Sequence, residues 1–228
     1  MTKTNFKYLF STYTLNILND CKRCFWLHYN AKIERPHRIG ILPLTGTHSK
    51  IKNYFDKHRD TLPKELKGKT NGFLIKDLAL LRKWRSWGSG LHYFNEKSRV
   101  LVTGVLEDCI IEDGLYCPLD YAHIWGALTK KENVKYFQVQ MDVLAYLLEA
   151  HNYQPKGVAY VVYYYPKKMP DKGTLIYNIK TMKISASSLR ARSLIKSAIS
   201  VIDGQIPEAS KTCTCCSYFK KLTASCSY

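Results

Sequence analysis

No run in this chain approaches the roughly 20 consecutive apolar residues that cross a bilayer, and the first residues lack the apolar segment of a secretory leader. The expectation is a soluble, cytoplasmic protein with no membrane partner. No internal repeat is present, and no low-complexity tract interrupts a chain that is 46% hydrophobic over 228 residues. Such a chain can bury one sizeable core, so a single domain over residues 1–228 is predicted. Acidic residues are scarce: 18 Asp and Glu stand against 35 Lys and Arg, a net charge of +17. That imbalance favours a polyanionic partner, because a positive field steers phosphates and displaced counterions drive binding. A lysine-rich solvated surface is the competing explanation.

Cysteine is not scarce. There are eight, with no leader to an oxidising compartment, which favours metal ligation over disulfides. Cys21-Lys-Arg-Cys24 and Cys213-Thr-Cys-Cys216 form two C-x-x-C pairs at opposite ends of the chain. Each pair can offer two thiolates to one ion or cluster. Their separation excludes a zinc ribbon and fits a clasp between residues 1–30 and 205–228, with free thiols in a reducing cytosol as the alternative.

Apolar spacing predicts a helix from Thr14 to Tyr29, with Leu15, Leu18, Cys21, Phe25 and Tyr29 on one face and Thr12 or Thr14 as its cap. Pro36, Gly40 and Pro43 mark a loop, followed by a helix from Thr45 to about Arg59 with Ile51 and Phe55 inward. Arg82, Lys83 and Arg85 interleave with Trp84 and Trp87, as on single-strand-binding surfaces; core tryptophans beside surface bases are the other reading. Val134–His151 is the clearest helix, with Phe137, Met141, Leu144, Leu147 and Leu148 on one face. Val158–Tyr165 reads as a strand stopped by Pro166, and Thr174–Lys180 as another. Ser187 or Ser188 caps a last helix ending near Gly204, with Arg190, Arg192 and Lys196 on a basic side.

Leu101–Ala122 has the form of a β-hairpin around Glu112-Asp113-Gly114, with acids inside the apolar strands. A buried carboxylate costs several kcal/mol unless it is neutralised, so such acids imply a metal, a basic partner or a retained proton. Glu107 or Asp108 and, on the second strand, Asp120 could converge on one divalent cation. Adjacent strand residues face opposite ways, so only one of Glu107 and Asp108 reaches the Asp120 side unless a bulge intervenes.

Gly104, the acidic pair Glu107-Asp108, the turn and Leu119-Asp120-Tyr121 together resemble the core of the PD-(D/E)XK nuclease superfamily, in its RecB-like and CRISPR-associated exonuclease branch. Cys21–Leu27 is similar to that branch's opening segment, Gly46-Thr47-His48 to its first motif, and Gln140–Leu148 to its glutamine helix. The resemblance implies an α/β fold with a central mixed β-sheet flanked by helices. It also implies catalytic residues at His48, Glu107 or Asp108, Asp120 and Gln140, with Mg²⁺ or Mn²⁺ held by His48 and the acids. It further implies a 4Fe-4S cluster, or Zn²⁺, on Cys21, Cys213, Cys216 and either Cys24 or Cys226.

The implied activity is metal-dependent hydrolysis of DNA phosphodiesters, at single strands or ends. Where the family has a lysine two residues beyond the second acid, this chain has Ala122. A site without turnover, a lysine swung in from elsewhere such as Lys130 or Lys135, and a replaced lysine all fit that departure. The competing class is a non-catalytic nucleic-acid-binding or scaffold protein with the same fold and clasp. A third reading is a zinc-stabilised protein-interaction domain.

Overall fold

The computed structural model describes residues 6–36, 45–88, 90–124, 129–168 and 176–225. Its hub is the hairpin of β5 (Asp108–Glu112) and β6 (Leu115–His123). Asp113 and Gly114 join the strands with φ of 55° and 75°. Positive φ at both central positions is the type I′ geometry that matches strand twist, and Asp-Gly is among the pairs that adopt it most readily.

The apolar run before the hairpin does not extend its first arm, as the sequence suggests. The chain leaves β structure at residues 105–107, and the preceding strand, β4 (Val100–Gly104), belongs to another sheet. There β4 pairs parallel with β1 (Tyr8–Ser11) and antiparallel with β3 (Leu91–Asn95). Glu107 therefore sits on an irregular link, whereas Asp108 opens β5.

In the second sheet the order is β2-β5-β6-β7-β8, with β2 (Phe73–Leu74), β7 (Val158–Lys168) and β8 (Ile176–Ser185). The β6–β7 pair is parallel and the other pairs are antiparallel, so the sheet is mixed. Pro166 does not end β7. The strand continues to Lys168 through an irregularity between Pro166 and Lys168, where a residue without an N–H is tolerated.

Helices cover the sheets. The parallel crossover is α5 (Lys130–Ala150), which packs against β3, β4, β6 and β8. It rests directly on β4: a methyl group added at Gly104 would lie 2.8 Å from Leu147 Cδ1 and 3.1 Å from Leu144 Cδ2. The other face of the five-stranded sheet carries α3 (Thr45–Lys57). Its Ile51 and Phe55 join Leu74, Ile110, Leu119, Tyr121 and Tyr160 in a second apolar cluster. Also present are α4 (Leu78–Trp84), which puts Trp84 in the main core, and α6 (Ser188–Asp203), capped by Ser187 and packed against α5.

Where one N-terminal helix is predicted there are two, α1 (Thr12–Asp20) and α2 (Lys22–Asn30), divided at Cys21 by an extended φ of −160°. Ser11, not Thr12 or Thr14, is the cap of α1, in a reciprocal pair with Thr14. The tail carries an unforeseen helix, α7 (Thr214–Ser225), none of whose residues is buried. Among the described residues no helix is long and apolar enough to cross a membrane.

Candidate functional site

Two groups of chemistry-bearing side chains stand out. At the clasp, the break at Cys21 turns the chain so that both thiols of the first pair meet the second. Cys24 Sγ lies 3.6 Å from Cys213 Sγ and 3.5 Å from Cys216 Sγ, while Cys21 Sγ lies 3.8 Å from Cys216 Sγ. All four sulfurs fall within 4.8 Å of one another, a set that could hold a metal ion such as zinc or an iron-sulfur cluster. Among the described residues this is the one group of three or more His, Cys, Asp or Glu side chains so closely gathered.

The second pair straddles the start of α7, with Cys213 just before it and Cys216 in its first turn, and the Cys216 backbone N–H points at Cys213 Sγ at 3.5 Å. Such donors and the positive end of a helix favour a thiolate. Burial would push the Cys21 thiol up, but backbone donors at Ser210 and Cys24 and the neighbouring thiols bring it down to about 7. Burial and the crowding of sulfurs push Cys24 up and Cys216 to about 11. One metal cation would relieve that competition among four thiols. Cys215 lies beside the cage, Cys109 and Cys117 are buried within strands, and Cys226 is outside the described residues.

The second group gathers where β5 begins and β6 ends. Asp120 is buried, accepts a hydrogen bond from Gln140 Nε2 at 2.8 Å and another from the Tyr121 backbone at 2.8 Å. Burial first, and the charge of Glu107 second, raise its carboxyl to about 7. From α3, Lys52 Nζ reaches within 2.6 Å of Glu107 Oε2. Glu107 Oε2 has no other donor among the described residues. His48 stands one helical turn before Lys52, its buried Nε2 also unpartnered. Burial lowers the His48 pKa against the pull of Glu107, leaving a neutral imidazole at neutral pH.

Asp108 does not join them. Arg59 grips it with two bonds of 2.7 Å, Tyr121 Oη donates to it, and Arg85 lies 3.5 Å away. Arg85 and Arg59 are in turn shared with Asp56. Asp108 is thus the basic-partner solution to a buried acid, and Glu107 is the one turned toward Asp120.

Ala122 lies two residues beyond Asp120, hence on the same face of β6, and packs into the main core. The side chains of Lys130 and Lys135 are outside what the structure describes. Sequence reasoning passed over His123, whose buried Nε2 is unpartnered and whose ring lies against Tyr164 and Tyr177. It also missed Lys52, which no short motif contains.

No model of a known protein family matches this chain, and no curated protein matches it at a significant level. The site's chemistry therefore rests on its own residues. A neutral imidazole, a carboxylate beside a lysine and a buried acid whose pKa is raised to about 7 share this site. These atoms are less tightly gathered than the cysteine sulfurs.

Several basic residues are exposed. Lys50, Lys57, Lys64, Lys67 and Lys69 are exposed on α3 and the turns after it. Arg82 and Lys83 are exposed beside Trp87, which is 84% accessible, in contrast to buried Trp84. The basic side of α6 is partly neutralised, since Arg190 binds Asp142 and Arg192 binds Glu149.

Proposed function

We propose that this protein hydrolyses DNA phosphodiesters with a divalent cation, as the PD-(D/E)XK resemblance implies, and that the cysteine cage is structural. The reading is carried by one observation: His48, Glu107, Asp120 and Gln140, far apart in sequence, meet at one end of the β5–β6 hairpin. His48, Glu107 and Asp120 would hold Mg²⁺ or Mn²⁺, which supplies polarisation of the scissile phosphate and a more acidic water. Gln140 fixes the Asp120 carboxylate, and the exposed lysines with Trp87 offer a track for a phosphate backbone and a face for a base.

At the cage we favour a single tetrahedral ion over a cubane. Zinc-thiolate bonds of about 2.3 Å put sulfurs about 3.8 Å apart; here three of the six sulfur pairs lie 3.5–3.8 Å apart and all lie within 4.8 Å. A cubane ties each thiolate to a different iron and so spreads the four sulfurs further.

The test is incubation of the protein with end-labelled single-stranded and duplex DNA in Mn²⁺ and in Mg²⁺, beside Asp120→Ala. Cleavage that vanishes in the variant is the expected result. Salt-sensitive binding without cleavage would favour the non-catalytic reading, which the missing strand lysine at Ala122 recommends, and neither binding nor cleavage would leave the interaction-domain reading.

A further inference from the structure

We infer that Lys52 of α3 supplies the cationic group that Ala122 withholds from the acidic site. The inference rests on the hydrolysis reading and names a residue that reading does not contain. A nucleophilic water and a pentacoordinate phosphorus beside two carboxylates need a positive group close by, since charge accumulates there in the transition state.

Position 122 cannot meet that need. Its side chain is a methyl group, 7% exposed and packed among core residues. The nearby arginines are committed elsewhere: Arg59 forks onto Asp108, and Arg85 bonds Asp56 through both terminal nitrogens and the Glu107 backbone through Nε.

Lys52 is differently placed. It follows His48 by four residues, so the two share one face of α3. Its ammonium lies 2.6 Å from Glu107 Oε2, and the side chain is 25% exposed. It is therefore close to the acidic site and reachable from solvent. Its charge is also felt at both Asp120 and His48. A lysine has the length and the rotatable stem to pass between a carboxylate and a phosphate oxygen.

The contrasting role is that of a counterion that merely offsets Glu107. Rescue from a different element separates the two. Cleavage of a single-stranded substrate in Mn²⁺ would be followed for the wild type, Lys52→Ala and the double variant Lys52→Ala with Ala122→Lys. DNA affinity and melting temperature would be measured alongside. Loss of one electrostatic donor lowers turnover about 100- to 1000-fold. Lys52→Ala is expected to show that loss with near-unchanged DNA affinity, and the lysine at 122 is expected to restore most of it. A counterion role would leave the double variant as slow as the single one, which would overturn the inference. So would a Lys52→Ala protein that cleaves at the wild-type rate; both outcomes leave the hydrolysis reading standing. A wild type without Asp120-dependent cleavage would bring down both.

Discussion

Removing the metal from the cysteine cage should release the tail and leave the body folded. The perturbation is chelation, or Cys24→Ser with Cys216→Ser. In α7 no residue is buried, and Tyr218, Phe219 and Leu222 are 63%, 48% and 42% exposed. Burying such a side chain completely is worth about 1.5–3 kcal/mol, so three half-buried ones contribute roughly 2–4 kcal/mol. A 12-residue helix is close to break-even by itself in water. Fixing the irregular segment 205–212 costs about 1 kcal/mol or more per residue, roughly 8 kcal/mol in all.

Docking of the metal-free tail is thus uphill by several kcal/mol. A structural zinc site, at about 10–16 kcal/mol at neutral pH, is large enough to reverse that. Hydrogen exchange followed by mass spectrometry reads the outcome. Residues 205–225 should lose protection on chelation, while α5 and β5–β7 stay protected. The reasoning fails if elemental analysis shows the metal gone and α7 still exchanges slowly.

Three further outcomes are expected. Asp108→Ala takes from the buried Arg59 its two-pronged carboxylate partner, leaving Asp56 and the Ile75 carbonyl, and should cost about 3–5 kcal/mol in urea denaturation; a loss below about 1 kcal/mol would contradict the charge network. Asp120 has a folded pKa of about 7 against an ordinary 3.8, so the native state holds its proton more tightly and metal-free stability should fall as pH rises from about 4 to about 7. That rise corresponds to a burden on the order of 4 kcal/mol by pH 8; Asp120→Asn should stabilise the metal-free protein there and change little at pH 4, and parallel stability curves for the two proteins would refute the assignment. Trp87→Ala should weaken single-stranded DNA binding by about 1–3 kcal/mol without shifting the melting temperature, and unchanged affinity in a fluorescence titration would remove the tryptophan from the binding face.

Local chemistry made several features legible. Asp113-Gly114 demanded a tight turn, the apolar spacing of 134–151 demanded a helix, and two C-x-x-C pairs in a leaderless chain pointed to a shared ligand set. These are properties of neighbouring residues, whose periods of two and 3.6 and whose turn preferences operate over a few positions.

The structure decided what depends on desolvation across long separations. Glu107 and Asp108 are equivalent as text, yet one meets Lys52 and the Asp120 side and the other is held by Arg59, 49 residues away. The apolar run through β4 had no sequence mark of where it would leave one sheet for another, and nothing local called for extended backbone at Cys21. Motif spacing raised Ala122 as a question. The answer offered by Lys52 comes from a helix laid over the opposite face of the sheet, because strand and helix period set which way a side chain points but only packing sets what it meets.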